Sequence, residues 1–187
     1  QYQVLTRRPL TGSFLPGRPG LLFATISGQG NGKLRRRGRP PAGETTDIMP
    51  IRLKIARSTT DKAAVYRLRH RIFVEEEQRF VHRGNHIIDQ FDSFAETTNI
   101  LALRDERPIA SIRVIMENAV GSPADDVYDF SAFRAGLEGR AAYIGWLCCE
   151  HRYRRHPGLV IGLIKLCFRE MRKCGARHVL ATLHPPV

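Results

Sequence analysis

The chain has 187 residues, of which 42% are hydrophobic and 26% charged, a composition that is ordinary for a globular protein. It contains no run of 18 apolar residues, so the sequence predicts no membrane-spanning helix. The net charge is +12, and residues 1–48 supply half of it with eight basic and two acidic residues. Such an excess favours anionic partners: nucleic acid, anionic lipid or a phosphorylated cofactor.

Residues 1–48 form a basic tail rich in Gly, Pro and Arg, and no apolar periodicity runs through it. This composition predicts a disordered segment. The motif Arg-Gly-Arg-Pro at residues 37–40 resembles an AT-hook, in which arginines enter the minor groove of A·T-rich DNA. Short motifs of this kind also recur by chance. Patterning typical of a folded domain begins near Met49, so the expected division is a tail, 1–48, and a domain, 49–187.

The domain begins with a strand and a helix. Apolar and polar residues alternate over 51–56, which predicts a half-buried strand. Ser58, Thr59 and Thr60 are candidate N-caps, and a helix with an apolar stripe is predicted to run to about Gln78.

A β-hairpin is predicted next. Two apolar runs at 99–104 and 109–116 flank a polar turn. Residues 79–98 and 117–140 are predicted as connections, with a helical turn near Ala132.

The last third has the clearest pattern. Residues 142–149 are almost continuously apolar, as in a strand buried on both faces. A basic turn follows, then a helix over 158–174 and a strand over 178–183. The element order predicts an α/β fold whose mixed, mostly antiparallel sheet is flanked by helices.

The cysteines Cys148, Cys149, Cys167 and Cys174 lack the paired spacings of a zinc site. We expect free thiols in a reducing cytoplasm and no bound metal.

The junction between the buried strand and the last helix is a candidate anion site. Arg154 and Arg155 lie in the turn, and Gly158 opens the helix. A helix N-terminus with unsatisfied N–H groups binds phosphate, and arginines strengthen such binding. A solvated basic turn explains the same residues equally well.

This segment resembles a known family. The run Arg-His-Pro-Gly-Leu-Val at 155–160 resembles the (Arg/Gln)-x-x-Gly-x-(Gly/Ala) pyrophosphate loop of the GNAT acyltransferases, with Val160 in place of the usual small residue. The resemblance implies a GNAT-like fold and an acyl donor, either acyl-CoA or acyl-carrier protein (acyl-ACP). Folds of this family continue past the last predicted strand, so the resemblance also implies that the domain is truncated at its C-terminus. It implies that the donor is bound by Leu147, Cys148, Cys149, Arg154, Arg155, Gly158, Leu159, Val160 and Gly162.

A second resemblance narrows the branch to the acyl-homoserine-lactone synthases and the related N-acyl amino acid synthases. It is carried by Arg69 and Phe73 on the first helix, by Asp89 and Asp92, and by Arg113 on the hairpin. It implies that these five residues bind the acceptor.

One departure from the lactone synthases favours a different product. Their Glu-x-x-Arg on the buried strand is matched here by Tyr143 and Trp146. The resemblance therefore favours acylation of an amino acid or another small amine over lactone synthesis.

The implied reaction is attack of a neutral amine on a thioester. Tyr143, Glu150 and His151 are the candidate catalytic residues for proton transfer; packing for Tyr143 and ordinary loop positions for the other two are the alternatives. A backbone N–H near residues 147–149 is the candidate oxyanion donor.

Three structural interpretations stand beside these roles. Asp89 and Asp92 either orient an acceptor ammonium or form an ion-pair network with the two arginines. Cys148 and Cys149 are expected to be structural rather than nucleophilic, and Trp146 is expected in the core.

Two other functions remain open. One is a DNA-associated protein that uses the motif at 37–40. The other is a non-catalytic module that binds acyl-CoA.

Overall fold

The computed structural model describes residues 20–25, 50–79, 81–126, 130 and 134–183. Its strands form one sheet in the order β1-β6-β5-β4-β3-β2. All neighbouring strands are antiparallel except β5 and β6, which are parallel. The strands are β1 Gly20–Thr25, β2 Arg52–Ile55, β3 Thr97–Arg104, β4 Arg107–Met116, β5 Arg140–Cys149 and β6 Ala176–Leu183. The predicted mixed, mostly antiparallel sheet is confirmed.

Strand β1 lies inside the tail for which the sequence predicts disorder. That prediction is wrong for these six residues, which pair antiparallel with β6 from Gly20↔Leu183 to Thr25↔His178. Four apolar residues in a row carry little periodicity of their own. Their pairing depends on the hydrogen bonds that the open edge of β6 offers. The DNA-binding motif at 37–40 and the helical turn near Ala132 lie outside the described residues, and the domain division stays a prediction.

Helix α1, Thr59–His70, covers one face of the sheet. Its N-cap is Ser58, whose hydroxyl accepts a hydrogen bond from the backbone N–H of Asp61 at 3.1 Å. The helix continues as a π-helical segment, Arg71–Glu76, so the predicted single helix changes its winding in the last turns. Val65 and Leu68 of α1 and Ile72 and Phe73 of the π-helical segment pack in one core cluster with two residues of the sheet, Leu101 and Cys148.

Helix α2, Leu159–Lys173, covers the opposite face. It begins at Gly158, whose φ of +91° lies in the left-handed region that favours glycine. Its apolar side packs in the largest core cluster through Leu159, Leu163, Cys167 and Met171. No helix in the described ranges combines the length and the apolar character needed to cross a membrane.

The centre of β5 departs from the prediction of a strand buried on both faces. Residues 144–146 are half-buried, and Leu147 is 42% exposed. The reason is tertiary: the register with β6 ends at Ile144↔Ala181, although both strands continue beyond that pair. The apolar run therefore forms a strand that is buried at both ends and more exposed in the middle.

Candidate functional site

Strand β5 carries a bulge where it leaves β6. Cys148 faces Ser111 on β4 and Gly145 faces Arg113, so one extra residue on β5 is accommodated between these pairs. Trp146 lies in this bulge with φ +51°, which few non-glycine residues adopt. Such a bulge re-aims backbone and side chains locally.

Tyr143 lies beside the bulge and owes its position to Gly145. A Cβ at residue 145 would lie 2.6 Å from Cε1 and 2.9 Å from the hydroxyl oxygen of Tyr143. The tyrosine is buried and packs with Phe91, Ile115 and Leu180. Its hydroxyl is thus held next to the bulge, and its catalytic role stays a prediction.

A buried ion-pair network, here called the inner cluster, lies between α1 and the sheet. It comprises Arg69, Asp89, Asp92, Asn99 and Arg113. Arg69 donates to Asp92 at 2.7 Å and to the side-chain oxygen of Asn99 at 2.6 Å. Arg113 donates to Asp89 at 2.6 Å and lies 3.3 Å from Asp92. Four of the five residues predicted to bind the acceptor meet here.

Asp89 and Asp92 form a local motif that orients both carboxylates. Asp89 caps the short 3₁₀ helix Gln90–Ser93, and the side chain of Asp92 accepts from the Asp89 backbone N–H at 3.2 Å. Burial opposes ionisation of Asp92, but Arg69 and Arg113 outweigh it and hold the pKa of this carboxyl below its usual value. Asp92 is therefore an ionised carboxylate with no route to solvent.

Trp146 joins the inner cluster to the bulge. Its indole Nε1 donates to Asp89 at 3.0 Å. The guanidinium carbons of Arg69 and Arg113 lie 5.2 and 5.7 Å from its ring centroid, and its ring packs at 5.3 Å from Phe73. The sequence predicts Trp146 in the core; the structure places it half-buried at the site, and its isolated position in an apolar run gave no signal of this.

Glu150 is held in a second network, the outer cluster, which comprises Arg71, Arg107, Glu150 and Arg152. The carboxylate is 5% exposed and is paired with all three guanidinium groups. The geometry favours an anchoring role for Glu150, while His151 is exposed on the adjoining 3₁₀ turn.

The two arginines of the basic turn, which are predicted to bind the acyl donor, have different surroundings. Arg154 donates to the carbonyl of Cys149 at 3.1 Å and to Glu77 at 2.5 Å, so it ties the turn to the residue that follows the π-helical segment. Arg155 is exposed beside the α2 N-terminus, and a Cβ at Gly158 would meet nothing within 4 Å.

The other residues predicted to bind the acyl donor differ in how deeply they are buried. Leu147 is exposed on the bulge and Val160 is half-buried on α2. The side chain of Leu159 packs in the core. Gly162 allows close packing against Leu53, since a Cβ there would lie 3.1 Å from Cδ1 of that leucine. The glycine at 162 is thus explained by packing.

The buried cysteines are protonated thiols at neutral pH. Burial raises the pKa of Cys148, and it raises the pKa of Cys149 to about 11. The sulfur of Cys148 lies 3.1 Å from the hydroxyl oxygen of Ser111. Neither thiol has the depressed pKa of a nucleophile, which supports the structural interpretation. Within the described residues, His, Cys, Asp and Glu side chains form no group that could hold a metal.

A parallel strand pair that separates at a bulge, followed by a helix that begins in a basic turn, defines a GNAT-type acyltransferase fold. Residues 64–187, more than half of the chain, match the family model "N-acyl amino acid synthase FeeM", and the chain belongs to this family.

The solved structure of FeeM shares this fold, and other solved structures resemble the chain to a lesser degree. The structure of FeeM, from uncultured soil microbes, is 18% identical at a TM-score of 0.55 and covers 67% of this chain. This chain spans 66% of the FeeM chain. Escherichia coli ElaA matches at 17% identity and a TM-score of 0.47, over 66% of this chain and 71% of its own. A Pseudomonas aeruginosa acyl-CoA N-acyltransferase matches at 18% and 0.46, over 67% and 71%. No curated protein matches.

Proposed function

We propose that this protein transfers an acyl group from a thioester donor to the amine of a small acceptor, an amino acid among the candidates. One observation carries the proposal: β5 bulges at Trp146 just where its pairing with β6 ends at Ile144. Backbone N–H groups of β5 on the β6 side are thereby available to a ligand. A thioester carbonyl placed there would receive the hydrogen bond that stabilises its developing oxyanion.

The donor's phosphopantetheine arm runs, in this proposal, from the bulge to the turn that precedes α2. The first N–H groups of a helix have no partners within the helix and favour phosphate. Arg155 is exposed at this helix end and supplies a cation. Acyl-CoA and acyl-carrier protein share this arm, so both are candidate donors.

The transfer needs no covalent enzyme intermediate. The acceptor nitrogen forms a bond to the thioester carbon, and the carbon–sulfur bond then breaks. An acceptor that arrives as an ammonium loses two protons, one to the departing thiolate and one to solvent. Tyr143, held beside the bulge by the space at Gly145, is proposed to carry the first of these protons: it protonates the thiolate and regains a proton from the acceptor nitrogen.

Calorimetry on the full chain tests donor binding with acetyl-CoA, a long-chain acyl-CoA and an acyl-phosphopantetheine. Arg155→Glu is expected to weaken the binding of all three by about tenfold or more, which corresponds to at least ~1.4 kcal/mol. Lys165→Glu is the matched control, because Lys165 is exposed in the middle of the same helix and its reversal changes the net charge equally. Equal effects of the two substitutions would contradict a site at the turn.

Release of free thiol on addition of amine acceptors tests turnover. Product formation that depends on both donor and amine supports the proposal. Donor binding without transfer to any amine would instead support a non-catalytic acyl-CoA-binding module. Binding of none of the three donors by the folded chain would overturn the proposal.

A further inference from the structure

The π-helical segment Arg71–Glu76 lies against both the bulge of β5 and the turn that leaves this strand. Inside the segment, the ring of Phe73 packs 5.3 Å from the ring of Trp146 at the bulge. The next residue after the segment, Glu77, accepts a hydrogen bond from Arg154 in the turn at 2.5 Å. The backbone N–H of Glu77 closes the last π-type bond, to the carbonyl five residues earlier at 2.8 Å. The π winding therefore fixes the position from which this carboxylate reaches the turn.

Arg154 makes two hydrogen bonds of different kinds. Its Nη2 donates to Glu77, while its Nε donates to the backbone carbonyl of Cys149 at 3.1 Å. Cys149 is the last residue of β5. Because the guanidinium group is planar, its donors point in fixed directions relative to one another. The ion pair with Glu77 thus sets the direction of the hydrogen bond that Arg154 gives to the strand.

The peptide group that ends β5 is held from both sides. Its carbonyl, from Cys149, accepts from Arg154, and its N–H, from Glu150, donates to the carbonyl of Ile109 on β4 at 3.0 Å. The bulge lies between this anchored end and the pair that Gly145 makes with β4. Arg154 therefore holds the C-terminal end of the stretch in which β5 bulges.

Glu77 reaches the bulge by a second route. Its carboxylate is also paired with Arg79 at 2.5 Å, and the guanidinium carbon of Arg79 lies 5.7 Å from the ring centroid of Phe73, the residue that packs on Trp146. An ion pair at the surface contributes little by itself. This carboxylate is only 16% exposed, and its two arginines contact the bulge at different points.

We propose that Glu77 and Arg154 form a positioning pair for acyl transfer: Glu77 orients Arg154, and Arg154 fixes the end of β5 so that the backbone of the bulge meets the thioester carbonyl. This inference rests on the proposed acyl transfer. It assigns Arg154 to the protein's own backbone and leaves the donor's phosphate to Arg155 and the N-terminus of α2. Since a misplacement of about 1 Å can slow a reaction by about 100-fold, loss of the pair lowers the rate of transfer and not the affinity for the donor.

Two conservative variants break the pair at different atoms. Glu77→Gln removes the charge that orients Arg154. Arg154→Lys keeps the positive charge, but one ammonium group does not reproduce the two directed bonds of a guanidinium. Each variant is expected to lower kcat about tenfold, with the donor KM within about twofold of wild type, because the support is indirect and the displacement partial. Thiol release from acetyl-CoA, a long-chain acyl-CoA or an acyl-phosphopantetheine, with a saturating amine, measures both constants.

Three further variants serve as controls for this effect. Glu76→Gln is matched to Glu77→Gln, because Glu76 is an exposed residue of the same segment and loses the same charge; its kcat is expected to equal that of wild type. The double variant Glu77→Gln/Arg154→Lys is expected to be no slower than either single variant, because the two residues act as a unit. Glu77→Asp keeps the charge and is expected to restore part of the rate.

Arg154→Gln distinguishes positioning from phosphate binding. We expect it to transfer slowly but to bind the donor within about threefold of wild type in calorimetry, since a lost surface charge is screened by salt. If Arg154 held the phosphate, Arg154→Gln would bind the donor about tenfold more weakly, whereas Arg154→Lys, which keeps the charge, would retain binding. That result would overturn the inference, as would equal kcat values for Glu77→Gln and Glu76→Gln.

Tryptophan fluorescence tests the pair without any substrate. Trp146 is the sole tryptophan of the chain and lies in the bulge. Glu77→Gln and Arg154→Lys are expected to raise its quenching by acrylamide, and Glu76→Gln to leave it unchanged. Unchanged quenching in both variants of the pair would also overturn the inference. Absence of transfer by the wild type would contradict the proposed function instead, and quenching would still decide whether the pair holds the bulge.

Discussion

The inner and outer clusters both pair arginines with carboxylates, but they differ in which of these side chains are buried. In the inner cluster Arg69, Arg113 and Asp92 are all buried, so charges of both signs are paired away from water. In the outer cluster only Glu150 is buried, at 5% exposure, while its three arginines are 34–57% exposed. The comparison teaches that the cost of losing a partner depends on whether the group left behind can reach water.

Loss of Asp92 is expected to have the largest effect. Asp92→Ala leaves Arg69 charged and buried, so the free energy of unfolding should fall by about 3–5 kcal/mol. Urea unfolding measures the change. The control Asp126→Ala, at an exposed carboxylate, should change it by less than about 0.5 kcal/mol. A loss below about 1 kcal/mol for Asp92→Ala would show that the two clusters do not differ.

Neutralisation of the outer carboxylate is expected to cost less. In Glu150→Gln, the three arginines can turn to solvent, so we expect a loss of about 1–3 kcal/mol from the broken charged hydrogen bonds. The same urea experiment measures it. A cost equal to that of Asp92→Ala would mean that the exposed guanidinium groups are as dependent on their partner as the buried ones.

Acidification is expected to lower the stability of the folded protein through the inner cluster. The folded pKa of Asp92 lies below its unfolded value, so its contribution to stability is present at neutral pH. That contribution is lost as the pH falls below the unfolded carboxyl value of about 3.9 and through the folded pKa. Thermal unfolding of the wild type and Asp92→Asn should therefore show a difference in stability that narrows in this acidic range. A constant difference would contradict a lowered pKa.

The smallest effect is expected for a pair that belongs to neither cluster. Arg52 and Glu106 form an ion pair at 2.6 Å with side chains 52% and 80% exposed. Arg52→Gln should cost at most about 1 kcal/mol, and the cost should shrink further as salt is added. A larger cost that persists in high salt would weaken the burial argument for all three sites.

Much of the fold was predictable from local pattern. The alternation at Arg52–Ile55, the cap at Ser58 and the helix that begins after Gly158 were all found as predicted. These features depend on side-chain periodicity and on backbone groups within a few residues. Strand β1 was missed because its pairing with β6 is specified by the partner strand.

For the candidate site, the sequence predicted which residues take part but not how they are arranged or buried. The resemblance gave Arg69, Asp89, Asp92 and Arg113, and the structure brings them together. It did not distinguish the buried Asp92 from the half-exposed Asp89, because both are aspartates in one short turn. Nor did it predict that Glu150 is enclosed by three arginines from distant parts of the chain.

The sequence by itself determined the order of the strands and helices from β2 onward, the apolar faces that form the core, and the charged residues available for a site. Only the tertiary structure decided where β5 parts from β6, that Trp146 occupies the bulge, and which carboxylate meets solvent. Periodicity and capping are properties of neighbouring residues, so they can be read along the chain. Burial, ion pairing and strand separation are set by residues that are distant in sequence and meet only in the folded protein.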